Sequence, residues 1–522
     1  MDEAIATRPG SPLTQRRARL ALASVSAVLF LTFLDTTIMT VALADVQTKL
    51  YAGVSSLQWV LNSYALTFAA FMLAFGTLSD RLGRKRLMLA GVAMFAAGSL
   101  LGALAPNVTV LIAARAIMGV GAAACEPGTL SIIRHVYPEA RRRAIAYGVW
   151  AAIAGLALAL GPVFGGLLTG AGGWPAIFWF NVAAAAAAFS FAWFVVPESR
   201  DPDGRRGFDW PGLVLGPGAL ALVIFAVILG ETHGYTSPLV LSLFAVGFVA
   251  LVGFVFAERF SNSPLLDMGY LRIPAFSGSL AVAFAAYFGV FSIFFLTALY
   301  LQMVIGYSAY RTAALFAPMA LGLIISSALA GLWVSRSGPR IPVTVGSLAA
   351  GVGVVLADVA LRGPVSFGWL AGALALAGIG FGIVIVPVTT VALGVVPAAH
   401  SGMAASATTT SREVGTVIGV AALGALFNGR LTSELTRRLT QLDIPANLQQ
   451  TVITAVETGQ VPQGGTGAAS AQQQYGDIVA KVIDATYQAV HTGVTISLAA
   501  AACFMLAGGL VAWLTFGSPK TR

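Results

Sequence analysis

The chain has 522 residues, 57% of them hydrophobic and only 10% charged. Soluble domains carry roughly a quarter charged residues, and a soluble fold of this length could not cover its surface with so few, so most soluble enzymes and binding modules are excluded. The net charge of +9 would suit nucleic acid, but the bases lie in short clusters between apolar runs, which is how membrane topology is signed; no nucleic-acid partner is expected. Cys125 and Cys503 both sit inside apolar runs, so neither a disulfide framework nor a metal-ligand pattern is present.

A bilayer core about 30 Å thick needs about 20 apolar residues per helix. Fourteen such runs follow one another, near 20–44, 55–79, 87–105, 108–130, 142–168, 174–196, 211–230, 238–257, 275–304, 309–333, 341–360, 367–388, 402–427 and 489–516. The first ends in Ala42, Leu43 and Ala44, like a signal-peptidase site. It is too long for a signal sequence and contains Asp35, so it is read as a helix. With the N-terminus inside, 21 of the 30 Lys and Arg fall in cytoplasmic segments, seven in outer segments and two, Arg115 and Arg412, within runs. That asymmetry predicts a multi-pass protein of the plasma membrane with both termini cytoplasmic.

An internal repeat divides the chain. Gly76, Asp80, Gly83 and Lys85 after the second run are echoed by Gly331, Ser335, Gly338 and Arg340 after the tenth; Gly119 and Gly121 are echoed by Gly378 and Gly380. Two parallel six-helix halves are implied, a transporter plan. The predicted fold is all-α and polytopic: a tail over 1–19, a six-helix bundle over 20–196, a two-helix insert with its loops over 197–274, a second bundle over 275–516 and a tail over 517–522. The segment 429–488 is an outer loop, read as a helical cap with a flexible middle. Asp80 and Arg115 lack charged counterparts in the second half, where Ser335 and Leu374 stand, which places the ion chemistry in the first.

Ionisable groups inside a membrane are costly and therefore functional candidates. Asp35, Arg115, Glu126, Arg412 and Glu413 qualify. At 1.5 Å per residue, Asp35 and Arg115 lie at similar depth and can pair, as a working site or as a static bridge between helices. Glu126, eleven residues after Arg115, uses the same helix face and would meet a cation entering from the cytoplasm. Arg412 and Glu413 point about 100° apart, so one faces a cavity and the other a neighbouring helix; Glu413 is the candidate cavity residue. Asp358 and Arg362, four apart at a helix end, read as a surface pair. Gly161, Gly165 and Gly166 allow close helix approach and Pro162 bends the rod. Trp59, Tyr64, Tyr287 and Phe291 are weaker candidates for a pocket that holds flat lipophilic cations, and Arg412 is a weak candidate for the same cavity.

These residues resemble the major facilitator superfamily, in particular its fourteen-helix drug:proton antiporter branch. Gly76, Asp80, Arg81, Gly83, Arg84 and Lys85 match the superfamily's loop signature; the resemblance implies a conformational latch there. Arg115, Gly119 and Gly121 look like its fourth-helix arginine motif. Gly161, Pro162, Gly165 and Gly166 resemble the antiporter motif of the fifth helix, with Ala157 in place of its usual leading glycine. Asp35, Thr36 and Thr37 resemble the branch's acidic first-helix motif, and Arg412, Gly415 and Gly419 its thirteenth-helix pattern. The resemblance implies rocker-switch export driven by protons. Asp35 is expected to be the principal carrier, with Glu126 and Glu413 in reserve, in a protein expected to be monomeric. Its expected partners are a small lipophilic compound, protons and the bilayer, with no cofactor. Export of a lipid or an endogenous metabolite is the alternative. A membrane-embedded enzyme is disfavoured by the lack of a catalytic constellation, and direct ATP drive by the lack of a P-loop pattern.

Overall fold

A computed structural model describes residues 15–199, 209–261, 264–362, 366–397, 401–442, 444–457 and 477–517. Every apolar run is helical. In chain order these are α1 (Gln15–Ile38), short α2 (Leu43–Leu50), α3 (Val54–Leu82), α4 (Arg84–Ala103), α5 (Val108–Val136), α6 (Ala140–Gly172), α7 (Pro175–Val195), α8 (Trp210–His233) and α9 (Pro238–Phe260). They continue as α10 (Pro274–Met303), α11 (Ala309–Ser337), α12 (Arg340–Leu361), α13 (Phe367–Gly394), α14 (Ser401–Gln441), short α15 (Ala446–Glu457) and α16 (Asp477–Thr515). Among the described residues, thirteen helices are long and apolar enough to cross a membrane. A further long helix, α3, has 29 residues and a length of about 43 Å at 1.5 Å per residue, also sufficient.

The repeat seen in the sequence is a repeat in space. Gly83 between α3 and α4 and Gly338 between α11 and α12 both have positive φ, 107° and 71°. Each ends one helix and starts the next in a conformation that side chains with a Cβ rarely adopt. A Cβ on Gly121 would strike Phe95 and Gly91 of α4, and one on Gly380 would strike Ala350 and Gly346 of α12. Close approach of α5 to α4, and of α13 to α12, therefore uses equivalent glycines in the two halves.

The first half comprises α1 and α3–α7, the second α10–α14 and α16. They meet along two seams, α3 with α14 and α6 with α11. Gly166 of α6 lies against Ala309 and Ala313 of α11, leaving no room for a Cβ, while Gly161 and Gly165 bring α6 onto Thr37 and Ile38 of α1. The insert helices pair with each other, and α8 covers the α3–α14 seam: Ala65 and Leu66, Ile224 and Ile228, Val417 and Ala421 form one apolar cluster. By contrast α9 leaves Leu241, Phe248, Val249 and Phe256 exposed, as a lipid-facing helix does.

Two regions depart from the expected outline. The first run is not one helix: a 3-10 turn over Met39–Val41 separates α1 from α2. Threonines cluster there, and β-branched hydroxyl residues bond backbone carbonyls in competition with the helix. Thr37 Oγ1 donates to Leu158 O at 2.9 Å and Thr40 Oγ1 to Thr37 O at 2.7 Å. Gln302 of α10 donates to Val41 O at 3.0 Å, so a carbonyl at the break is used by the other half. The second departure is α14, expected to end near 427. It runs unbroken for 41 residues, about 60 Å, twice the bilayer core. Leu431, Leu435 and Leu439 remain buried against α15 and α16, so the first part of the 429–488 segment is an extension of a membrane helix. Its middle, 458–476, lies outside the described residues.

Candidate coupling and transport site

Four helices of the first half converge on Asp35. It is fully buried, as is Arg115. Arg115 Nη1 donates to Asp35 Oδ2, and its Nε donates to Val60 O of α3 at 3.0 Å. The guanidinium carbon stands 4.5 Å from the Tyr64 ring centroid, a cation–π contact in a desolvated place. Tyr64 is itself held by its hydroxyl, which donates to Thr32 O at 2.8 Å. From α7, Asn181 Nδ2 donates to Asp35 Oδ1 at 2.5 Å. Both carboxylate oxygens are thereby bonded, as a buried carboxylate requires. The pairing expected from depth is present. Asn181 was missed because only ionisable residues were weighed, although an amide alone in the apolar run 174–196 is also expensive to bury.

A second group lies where the halves meet. Glu126 of α5 and Glu413 of α14 are buried. Glu126 interacts electrostatically with Arg412, and Glu413 with both. Oε2 of each carboxyl has no hydrogen-bond partner among the described residues. Arg412 reaches Thr389 Oγ1 and, at 3.3 Å, Ile385 O of α13, and lies 5.6 Å from the Tyr287 ring. The neighbouring cavity is lined from both halves by Phe33, Trp150, Leu158, Tyr287, Thr389 and Arg412. It has room for about one or two waters.

The weaker cavity candidates separate. Tyr287 lines this space. Tyr64 belongs to the Asp35 cluster. Trp59 packs at a tilt against Phe225 of α8, with centroids 5.3 Å apart, because five residues along a helix turn it about 140° from Tyr64. Of Arg412 and Glu413, it is Arg412 that borders the cavity. The side chain of Phe291 lies outside the described residues. Phe33, Trp150 and Thr389 are additions that helical spacing alone could not have chosen among so many apolar neighbours. Asp358 and Arg362 form the expected pair, at 2.6 Å.

In the loop signature, the side chains of Asp80 and Arg81 lie outside the described residues. Its Gly83–Lys85 part is anchored at the end of α7 and the residues just after it. Glu198 Oε1 accepts from Lys85 N at 3.2 Å, and Lys85 Nζ donates to Trp193 O at 2.6 Å. A carboxylate at the start of α4 is favoured by the helix dipole. Gly83 is needed here twice over, because a Cβ would meet the Glu198 carboxylate.

A bundle of long apolar helices in two repeated halves, with a buried ion pair and a cavity between the halves, is the architecture of a secondary transporter. The sequence profile of the Major Facilitator Superfamily matches residues 25–420, and the chain belongs to that superfamily. It is thus a multi-pass membrane transporter of small molecules and not an enzyme. The chain is 34% identical over 441 residues to the multidrug resistance protein Stp of Mycobacterium tuberculosis, covering 84% of this chain and 81% of the relative. It is 30% identical over 521 residues to the multidrug efflux pump LfrA of Mycolicibacterium smegmatis, covering 99% and 100%. A solved bacterial homologue of the human lysosomal transporter Spinster, inward-facing and unoccupied, shares the fold with a TM-score of 0.61 at 19% identity, covering 98% and 100%.

Proposed function

We propose that the protein is a proton-coupled exporter of lipophilic, cationic drugs, working by alternating access in the plasma membrane. The observation that carries this reading is the fully buried Asp35–Arg115 pair, in a chain whose two repeated halves share a cavity. Stp and LfrA, named for multidrug resistance and efflux, support the drug substrate. A preference for cations follows from charge: two acids, Glu126 and Glu413, face one base, Arg412. Asp35 is the principal proton carrier. When it takes a proton the ion pair with Arg115 is broken, and the energy of that pair becomes available to move α1, α5 and α7 relative to one another. Glu126 and Glu413 serve where the halves touch, accepting a proton or a substrate cation in exchange. The membrane potential contributes about 2.3 kcal/mol per charge per 100 mV. Inverted vesicles with an imposed pH gradient should accumulate a fluorescent lipophilic cation; no accumulation across a broad panel would sink the reading. A second reading, export of an endogenous metabolite, draws support from a 29% identical relative named for tetracenomycin C resistance and export in Streptomyces glaucescens.

The domain division follows the same plan: bundles over 20–196 and 275–516 move as halves, and the insert over 197–274 rides on the α3–α14 seam. Both termini are cytoplasmic. Thr436, exposed on the projecting part of α14, should then react as Thr436→Cys with an impermeant thiol reagent in intact cells. Reaction only after permeabilisation would reverse the orientation. Gly76, Asp80, Arg81, Gly83, Arg84 and Lys85 act as a conformational latch, held on one side by Glu198. Asp80→Asn is expected to impair transport at near-normal expression, and wild-type turnover in that variant would leave the basic residues as topology anchors alone.

A further inference from the structure

We propose that Asn181 reads the protonation state of Asp35 by turning its side-chain amide: Nδ2 donates to the carboxylate, and Oδ1 accepts from the protonated acid. The inference rests on Asp35 being a proton carrier, and makes Asn181 a positioning residue for that step.

A carboxylate only accepts hydrogen bonds, so in the ionised state the amide nitrogen must face it. That is the arrangement seen, with Asn181 Nδ2 at 2.5 Å from Asp35 Oδ1. The cost shows on the other side of the amide. Asn181 Oδ1 is buried and has no hydrogen-bond partner, a state that proteins generally avoid. A proton arriving on Asp35 would choose Oδ1, because Oδ2 is engaged by the Arg115 guanidinium. The new O–H then points at α7 and needs an acceptor. Turning the amide by half a circle about its last bond replaces nitrogen by oxygen in nearly the same space, and brings the idle Oδ1 onto that proton. The other neighbours lack this ability. Arg115 is a donor only, and the Tyr64 hydroxyl donates to Thr32 O and makes no hydrogen bond to Asp35 among the described residues. The charged and titratable groups facing Asp35 are Arg115 from α5 and Tyr64 from α3. Among the described residues, α6 and α7 bury no charged side chain. Asn181 is thus the group beside Asp35 that can satisfy both of its states, and it joins α7 to the proton step.

The test is pH-jump infrared difference spectroscopy on the full-length protein in lipid vesicles, paired with pH-gradient-driven export. On acidification the wild type should gain a carboxylic-acid band that Asp35→Asn removes, together with a change in a side-chain amide band. The amide change should be absent from Asn181→Leu and Asn181→Ser. In Asn181→Leu the acid band should move to the position of an acid without an acceptor, and export should fall about tenfold, the equivalent of one ordinary buried hydrogen bond. Asn181→Ser, whose hydroxyl can donate and accept, should restore part of both. An Asp35 acid band at the same position with and without Asn181 overturns the inference while leaving Asp35 a carrier. No acid band removed by Asp35→Asn overturns both. If Asn181→Leu does not fold, a wild-type spectrum without an amide change overturns the inference on its own.

Discussion

Vesicles carrying Asp35→Asn are expected to show no pH-gradient-driven export, with the rate falling to that seen when the gradient is collapsed by an ionophore. The substitution keeps the shape of the side chain and its acceptor for Arg115 Nη1, but residue 35 can no longer exchange a proton. Folding should survive, because a carrier cycle itself obliges the protein to hold a neutral group beside Arg115 once per turnover. Binding of a lipophilic cation should lose its pH dependence in the same variant. Asp35→Glu should keep part of both activities, at a cost from the extra methylene in a packed place. Glu126→Gln and Glu413→Gln are expected to reduce export without abolishing it, since each leaves Asp35 and the other interfacial carboxyl in place. If Asp35→Asn exported a cation against its gradient at the normal rate, coupling would pass to Glu126 or Glu413, whose buried Oε2 atoms have no hydrogen-bond partner.

Much of the fold is legible in the sequence because membrane constraints are strict. Backbone groups in lipid must be satisfied within the helix, so apolar length translates into helices, and all fourteen runs are helical. The equivalence of Gly83 with Gly338 is visible as a repeat because a positive φ favours glycine, and that of Gly121 with Gly380 because close backbone approach leaves no room for a Cβ. What is not legible is which neighbour each side chain meets. Asp35 and Arg115 are 80 positions apart and were matched by depth alone, a rule that works for two charges in a common layer. The same rule cannot separate Arg412 from Glu413, which share a layer but not a direction, and aromatic character alone cannot separate Trp59 from Tyr64, which face different helices. The 3-10 turn at Met39–Val41 escaped for another reason. Its residues are apolar enough to continue a helix, and the break depends on Thr37 meeting Leu158 of α6 and on Gln302 reaching Val41 from α10. Both are tertiary bonds, and neither leaves a periodic trace.

The larger effect on stability is expected from Arg115 rather than from Asp35. Arg115→Met preserves much of the side-chain volume but leaves a carboxylate at full burial with Asn181 as its one remaining donor. Breaking a buried pair by removing one partner costs about 3–5 kcal/mol, because the surviving charge has no compensation. The change also vacates the face of Tyr64 and the carbonyl of Val60, which now receive the guanidinium. Thermal unfolding of the detergent-solubilised protein should therefore shift sharply downward in Arg115→Met. Adding Asp35→Asn to the same chain removes the orphaned charge, and the double variant should recover most of the loss while remaining unable to export. Replacing a buried pair by neutral groups of similar volume is often close to neutral in stability. The sign of the coupling between the two substitutions thus decides whether Asp35 and Arg115 are one electrostatic unit. Additive losses would mean that Arg115 acts through Tyr64 and Val60 alone, that the contact with Asp35 carries little energy, and that breaking it on protonation has little with which to drive the helices.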